Sequence, residues 1–428
     1  MPGLGNLRAL SLVLSAIAST ASICGHPTPS LGAVMDSLEG KIIFGFQGWF
    51  ACPGDGNALG GWVHWFARDQ VSPDTTTVDL LPDVTDIPPA ERCPTGLTAR
   101  DGRPVEVFSD QRADTVLRQF QWMRQYGLDG VALQRFSVSL GDGPHRSWSD
   151  HVLTNVRKAA EATGRGFFVQ YDVASGKPTN WADIVRTDWL GLLQQHLASS
   201  PAYIRHKGKI VLGITGLGMQ RGSATAEEAM HLLNDLRAES APWSGVTLFG
   251  TVPRGWRTLD QDAKTDPSWS AVYRMYDVIS PWLVGSYKTK EQIDRYVDQR
   301  LRADLAETQR RGVGYMPVIF PGFSWANLKH NPAEENKIPR RCGQFYWEQI
   351  RAFRDAGVSM LFGAMFDEVD EGTATFKTVA SPADLPASPW FLSLDADGCA
   401  LPSDWYLRIA GQAARLFRGE PGEFPKLP

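Results

Sequence analysis

Short apolar runs of strand length recur along the chain and are separated by amphipathic stretches. Each run predicts a buried strand, because a strand covered on both faces is predominantly apolar. A typical example is Lys-Ile-Val-Leu-Gly-Ile at residues 209–214. The eight predicted strands lie at about residues 41–50, 130–136, 166–173, 209–214, 245–252, 278–284, 314–320 and 360–366.

The stretches between the strands predict helices. In the first of them, Val116, Phe120 and Met123 share one helical face, with Ser109 as the cap and Gly127 as the stop. Further helices are predicted at about residues 150–163 (capped by Asp150), 181–198, 225–239, 269–276, 290–310, 344–355 and 404–417. This alternation favours an α/β fold, a single (β/α)8 TIM barrel, over an open doubly wound sheet.

The barrel is expected to fill residues 41–420 as one catalytic domain with long loops on its catalytic face. The longest of these loops, residues 51–108, contains repeated Gly and Pro together with Trp62, His64 and Trp65. A loop of this length inside a compact domain is usually functional. We interpret His64 as a residue that hydrogen-bonds within the loop, rather than as a ligand or a base.

Residues 1–25 have the pattern of a secretory signal peptide: Arg8, then an apolar stretch, then small residues suited to cleavage. Residues 26–40 follow as a spacer. A lipoprotein anchor at Cys24 is disfavoured because Ile23 stands where a small residue is preferred. No later stretch approaches the roughly 18 apolar residues of a membrane-spanning helix. We therefore expect a secreted or periplasmic protein without a membrane span.

Four cysteines remain after cleavage, an even number that suits an oxidising compartment: Cys52, Cys93, Cys342 and Cys399. Two disulfides are expected, and Cys52 with Cys93 is the first choice because these two are nearest in sequence. No C-x-x-C spacing points to zinc or redox chemistry. The formal net charge of -4 disfavours nucleic acid as a partner, and no phosphate-binding glycine motif is present. We expect a monomer without a cofactor.

The last predicted strand ends in an acidic loop. Asp367, Glu368, Asp370 and Glu371 fall within five positions directly after an apolar run. Carboxylates this close raise one another's pKa, so one of them can stay protonated near neutral pH and act as a general acid. The same residues also suit a solvated acidic turn or a calcium site. From these residues alone, all three interpretations stay open.

The other predicted strands end in polar and aromatic residues. In a barrel of this kind, the carboxyl ends of the strands form the working face. Aromatic faces together with amides and carboxylates match the CH faces and hydroxyls of sugars. The predicted substrate-binding residues are Trp49, Gln134, Arg135, Tyr171, Asp172, Trp282, Tyr287 and Trp325.

Single members of this set also have a structural interpretation. Any one aromatic side chain is more often part of a core than of a sugar platform. Arg135 has an equal alternative, in which it neutralises the acidic loop or pairs with Asp172. The pattern as a whole is therefore what indicates a glycan-binding face.

The acidic stretch at 367–373, Asp-Glu-Val-Asp-Glu-Gly-Thr, resembles a motif of glycoside hydrolase family 99, the endo-acting α-mannosidase and α-1,2-mannanase family. That family ends the last strand of its barrel in Asn-Glu-Trp-His-Glu-Gly, followed by threonine. Both glutamates, the glycine and the threonine are in register. The stretches at 46–50 and 320–325 are similar to the family's first and seventh strands.

The resemblance implies two catalytic residues. Glu371 corresponds to the general acid/base that protonates the departing glycosidic oxygen and later activates water. Glu368 corresponds to the residue that deprotonates the sugar's own 2-hydroxyl, which attacks the anomeric carbon and gives a 1,2-anhydro sugar with net retention. The usual relation between carboxylate separation and stereochemistry does not apply to such a mechanism.

Three positions depart from the family motif. Asp367 stands in place of asparagine, Val369 in place of tryptophan and Asp370 in place of histidine. The additional carboxylates should raise the pKa of the acid. We expect a glycoside hydrolase of family 99-like type that acts on an oligosaccharide or polysaccharide, with a non-catalytic glycan-binding barrel or another barrel glycosidase family as alternatives.

Overall fold

Nine short strands ring the centre of the fold and occupy all eight predicted strand positions. The structure is a computed structural model and describes residues 35–67, 70–141, 143–174, 179–387 and 390–427. The strands are β1 (Ile42–Phe46), β2 (Gly130–Phe136), β3 (Gly166–Asp172), β4 (Lys209–Thr215), β5 (Val246–Val252), β6 (Val278–Pro281), β7 (Gly314–Tyr315), β8 (Val318–Ile319) and β9 (Leu361–Gly363). The predicted signal peptide, Cys24 and most of the predicted spacer lie outside the described residues.

The ring closes through the seventh predicted strand, which is divided into β7 and β8. β7 pairs with β6, whereas β8 pairs with β9. β9 also pairs with β1, and β1 pairs with β2. All pairings between these nine strands are parallel, as a barrel built from strand-then-helix units requires. The predicted (β/α)8 barrel is therefore confirmed.

Helices connect the strands and cover the ring. Gly127 ends the first helix in a left-handed conformation, and Thr225 and Glu228 form a capping box at the start of the fourth. None of the described helices is long and apolar enough to cross a membrane. The helices are α1 (Ala113–Tyr126), α2 (Gly143–Thr163), α3 (Trp181–Gln194), α4 (Ala226–Ser240), α5 (Trp269–Tyr273), α6 (Lys290–Tyr296), α7 (Arg302–Arg311), α8 (Ala326–Lys329), α9 (Gln344–Asp355) and α10 (Trp405–Phe417).

Two predicted helix caps are wrong. α2 begins at Gly143, so Asp150 lies inside the helix, and its carboxylate accepts a hydrogen bond from Arg135 instead of capping. α1 begins at Ala113, four residues after Ser109. The Ser109 hydroxyl oxygen accepts a hydrogen bond from a backbone N–H two residues later, before the helix begins.

Side chains alternate between the two faces of each strand, so some polar residues of β2 and β3 point into the barrel and others point out of it. The Gln134 amide donates to Gln170, and Gln170 donates to Thr251, two strands away, at 2.7 Å. These side chains therefore point into the barrel. Arg135 and Tyr171 occupy the next position along each strand, so they point out of the barrel toward α3.

A disulfide between Cys52 and Cys93 joins two points within the long loop at 51–108. Cys93 begins a two-stranded antiparallel hairpin, in which Cys93–Thr98 pairs with Pro104–Val107. A second disulfide joins Cys342 to Cys399. Both predicted disulfides are present, including the preferred pair.

Candidate active site

The acidic loop follows β9 and is tied to the end of β1. Oδ1 of Asp367 accepts a hydrogen bond from the backbone N–H of Gln47, and Oδ2 accepts one from Gly48, both at 2.8 Å. Asp367 is fully buried, and this burial raises its pKa to about 7 although both hydrogen bonds act to lower it. Asp367 therefore anchors the loop and is not available to a substrate.

Glu368 is held by two hydrogen-bond donors. The side-chain amide of Gln47 donates to Oε1 at 2.7 Å, and the hydroxyl of Thr373 donates to Oε2 at 2.6 Å. Burial, together with the charges of Glu371 and Asp370, raises the pKa of Glu368 well above its usual range, and the two hydrogen bonds oppose this rise. A carboxylate fixed in this way can accept a proton from a bound hydroxyl.

Glu371 is the more open of the two glutamates. Burial and the charge of Asp370 raise its pKa to about 7, while the charge of Lys329 acts in the opposite direction. Its backbone carbonyl accepts a hydrogen bond from the backbone N–H of Ser324 at 3.0 Å. A carboxyl group with this pKa is partly protonated at neutral pH, as a residue that acts first as an acid and then as a base requires.

A stack of three rings lies beside Asp370. Nδ1 of His64 is 3.2 Å from Oδ2 of Asp370. The imidazole stacks on the indole of Trp49, with centroids 3.9 Å apart, and Trp49 stacks on Phe136 at 5.3 Å. The His64 side chain thus hydrogen-bonds, but to Asp370 of the acidic loop and not within the loop at 51–108 as predicted. Asp370 is the residue that stands in place of the family's histidine.

Five of the predicted substrate-binding residues lie at the carboxyl ends of the strands with their side chains partly exposed. Burial raises the pKa of one of them, Asp172, to about 6. The Trp325 indole donates to Glu334, and its ring lies 4.4 Å from Nζ of Lys329. Contact of these residues with a substrate stays a prediction. The five are Trp49, Gln134, Asp172, Trp282 and Trp325.

Arg135 and Tyr171 do not reach this face, and their predicted substrate contact is corrected. The Arg135 side chain is 0% exposed, and its guanidinium donates to Asp188 at 2.8 and 2.9 Å and to Asp150 at 2.7 Å. The Tyr171 hydroxyl donates to Asp188 at 2.6 Å. Both side chains point outward because of their position in the strand alternation, so Arg135 pairs with Asp188 and not with Asp172.

The Tyr287 side chain also does not reach the face formed by the carboxyl ends of the strands, and its predicted substrate contact is corrected. Its side chain is buried in an aromatic cluster, with centroid distances of 5.6 Å to Phe320 and 6.2 Å to Phe345. Its hydroxyl lies 3.3 Å from Oε1 of Gln349, to which it donates. Tyr287 therefore has a structural role in packing α9 against the segment that follows β8.

The acidic loop does not assemble a metal site in the part of the chain that the structure describes. No group of three or more His, Cys, Asp or Glu side chains among these residues could hold a metal ion. Both oxygens of Asp367 already accept backbone hydrogen bonds, and one oxygen of Asp370 faces His64. The calcium interpretation therefore has no ligand set here.

Two buried carboxylates near the acidic loop, Asp79 and Asp110, are not among the predicted site residues. Asp110 accepts hydrogen bonds from the backbone of Phe50 at 3.1 Å and from the side chain of Gln119 at 3.3 Å. Burial, and then the charge of Asp367, raises the pKa of Asp110 well above its usual range. Single aspartates in a long polar segment carry no local signal of burial, so the sequence alone could not single them out.

No protein-family model and no curated protein matches the sequence. Solved structures do match it. Two structures of the GH99 endo-alpha-mannosidase from Bacteroides thetaiotaomicron, one of them in complex with bis-tris-propane, align with TM-scores of 0.65 and 0.64 at 14% and 13% identity. The alignments cover 90% of this chain and 98% and 99% of the other chains.

A third structure, described as a glycoside hydrolase-like protein, aligns with a TM-score of 0.51 at 14% identity. It covers 74% of this chain and 89% of its own. Identities this low establish a shared fold and leave activity to be argued from the residues of the site. In fold, the family resemblance expected from the glutamate motif is confirmed: this chain has the barrel of the GH99 endo-alpha-mannosidase structures.

Proposed function

We propose that the protein is a glycoside hydrolase that cleaves α-linked glycans, mannose-containing ones among them, with retention of anomeric configuration. The observation that carries this proposal is the pair formed by Glu368 and Glu371. Glu368 is nearly buried and fixed by two donors, Glu371 is more open, and the charge of Glu371 contributes to the raised pKa of Glu368. Two carboxyl groups in such different environments suit two different roles in proton transfer.

In the first step of the proposed reaction, Glu371 gives its proton to the glycosidic oxygen as the bond from that oxygen to the anomeric carbon breaks. Glu368 takes the proton of the sugar 2-hydroxyl, and that oxygen forms the new bond to the anomeric carbon. In the second step, Glu371 takes a proton from water, and the water oxygen forms a bond to the anomeric carbon. The bond from that carbon to the 2-oxygen breaks, and Glu368 returns its proton to the 2-oxygen. Two inversions at the anomeric carbon give net retention.

Three polar atoms support glycan binding at this site. Oε1 of Gln47, Nε1 of Trp49 and Oδ1 of Asp370 are buried and have no hydrogen-bond partner in the described part of the chain. Buried polar atoms without partners are unfavourable, and sugar hydroxyls both donate and accept hydrogen bonds. A sugar bound beside Glu368 would satisfy two acceptors and one donor.

The proposed place of action is outside the cytoplasm. Export would be directed by the predicted signal peptide, residues 1–25. Two disulfides, Cys52–Cys93 and Cys342–Cys399, support this because such bonds persist in oxidising compartments. Purifying the mature protein from the culture medium or periplasm, and sequencing its N-terminus, tests the proposal. A chain that is retained and uncleaved would contradict it.

The activity test is a panel of α-mannans, N-glycans, and plant and bacterial polysaccharides, with product anomers followed by NMR. Glu368→Gln and Glu371→Gln should each abolish cleavage while the circular dichroism spectrum stays unchanged. Glu227→Gln, an exposed change on α4, is the matched control. Full activity of either site variant would reject the assignment. Binding of a glycan by the wild type without product release would indicate the alternative function, a non-catalytic glycan-binding barrel.

A further inference from the structure

Asp79 joins the long loop at 51–108 to the segment that follows β8. It is fully buried, and its carboxylate accepts hydrogen bonds from the Ser324 hydroxyl, from the backbone N–H of Ala326 at 2.8 Å and from the backbone N–H of Asn327 at 2.8 Å. The carboxylate therefore holds the start of α8 with three donors.

The backbone of the same residue touches the acidic loop. The N–H of Asp79 donates to the carbonyl oxygen of Val369 at 3.3 Å, and so does the N–H of Leu80. The carbonyl oxygen of Asp79 accepts a hydrogen bond from Leu392 at 2.8 Å. One buried residue thus contacts both the turn that carries Glu371 and the segment that packs on that turn.

The segment held by Asp79 also binds the Glu371 turn directly. The backbone N–H of Ser324 donates to the carbonyl oxygen of Glu371 at 3.0 Å. The next residue, Gly372, has a φ of +65°, and a Cβ atom there would lie 2.7 Å from the backbone nitrogen of Ser324. Only glycine allows this close approach. The position of Ser324 therefore constrains the backbone from which the Glu371 side chain extends.

Burying this carboxylate is costly, because none of its hydrogen-bond donors in the described part of the chain is a cationic side chain. Burial raises the pKa of Asp79 to about 6 against the lowering effect of its three donors. An apolar contact would hold a loop without the free-energy cost of burying a carboxylate. The burial of Asp79 is better explained if the site requires an exact placement of Ser324 and the Glu371 turn.

We propose that Asp79 is a positioning residue, which acts through Ser324 to fix the backbone of Glu371 in the orientation required for proton transfer to the leaving oxygen. This inference rests on the proposed function, in which Glu371 is the acid. General acid catalysis depends on the alignment of the donor with the leaving oxygen, so displacement of the turn should slow the reactions that need protonation.

The kinetic test compares two leaving groups. α-1,2-Mannan needs protonation of the departing oxygen, whereas α-mannobiosyl fluoride leaves as fluoride with little help from an acid. Asp79→Asn should lower kcat/KM on the mannan by about 10- to 100-fold and leave kcat/KM on the fluoride nearly unchanged. kcat/KM is compared because it covers only the steps up to departure of the leaving group, whereas kcat also includes the later attack of water, in which Glu371 is the base for both substrates. Ser324→Ala should do the same more weakly. Asp74→Asn, an exposed change in the same loop, should alter neither rate.

The Glu371→Gln variant separates the two possible failures. If Glu371→Gln discriminates between the two leaving groups and Asp79→Asn slows both equally or neither, the positioning role is overturned. If Glu371→Gln shows no discrimination, or the wild type cleaves neither compound, the proposed function is what fails.

A second measurement needs no substrate. In Asp79→Asn, hydrogen–deuterium exchange should be several-fold faster in peptides covering residues 322–327 and 367–373. Exchange in Asp74→Asn should match that of the wild type. Unchanged exchange in both segments of Asp79→Asn would show that Asp79 does not hold them and would overturn the inference.

Discussion

The side-chain amide of Gln47, at the end of the first strand, donates a hydrogen bond of 2.7 Å to Oε1 of Glu368, which follows the last strand. The backbone of Gln47 donates at the same time to Asp367. Because β1 and β9 are neighbours in the ring, closure of the barrel brings these residues together. The fold therefore sets the position of Glu368, and the hydrogen bond from Gln47 opposes the rise in its pKa that burial causes.

Replacing Gln47 by Leu should disturb the base of the proposed reaction. The hydrogen bond from Gln47 favours the ionised form of Glu368, so its loss raises the pKa of Glu368 and lowers the fraction that can accept a proton. The acidic limb of the kcat/KM profile should move to higher pH, with a loss of about tenfold or more on that limb. Gln121→Leu, an exposed change on α1, is the control. An unshifted acidic limb would contradict the assigned role.

Replacing Lys329 by Met should move the alkaline limb of the kcat/KM profile. Glu371 must be protonated to act as the acid, and its pKa of about 7 predicts that kcat/KM declines above that pH. The charge of Lys329 favours ionised Glu371, so its removal should shift the alkaline limb upward by about 0.2 to 0.7 of a pH unit. Lys158→Met, on the exposed side of α2, should leave the profile unchanged. A downward shift would exclude Lys329 as the interacting cation.

The strand positions, and the place of the two glutamates after the last strand, could be predicted from the sequence, because buried runs and a compact acidic motif are local patterns. The catalytic roles of the glutamates stay a prediction. The pairing of His64 with Asp370, 306 positions apart, has no local pattern and appears only when the barrel closes. The prediction that Arg135 and Tyr171 contact a substrate is wrong for a different reason. An apolar run marks a strand but does not show which alternate positions point inward, and a shift of one residue reverses every side chain.

Replacing Asp188 by Ala should destabilise the fold. The Arg135 guanidinium is completely buried and would lose its main carboxylate partner, which we expect to cost about 3 to 5 kcal/mol of unfolding free energy. Urea unfolding followed by circular dichroism measures this. The double variant Arg135→Met with Asp188→Leu should recover much of the loss, because no unpaired charge stays buried. Asp298→Ala breaks an exposed pair with Arg302 and should have little effect. Equal losses in Asp188→Ala and Asp298→Ala would refute this account.

Asp110 provides a test of how the free energy of unfolding depends on pH. Its carboxyl is fully buried, and its pKa in the folded protein is raised by burial and by the charge of Asp367. Between the ordinary pKa of an aspartate, about 4, and the raised folded value, the native state keeps a proton that the unfolded chain releases. Protein stability contributed by this group is therefore present at low pH and is lost as the pH rises through that window.

Replacing Asp110 by Asn should remove this loss while keeping the local hydrogen bonds. The Asn carbonyl oxygen can accept from the backbone N–H of Phe50, and its NH2 group can donate to Oε1 of Gln119, which has no partner in the described part of the chain. Urea unfolding at pH 5 and pH 8 should show a smaller decline for Asp110→Asn than for the wild type, whereas Asp114→Asn, exposed on α1, should decline as the wild type does. An equal decline in all three proteins would mean that the Asp110 carboxyl is already ionised in the folded state at both pH values, because only a group that changes protonation between the native and unfolded states can contribute to the slope.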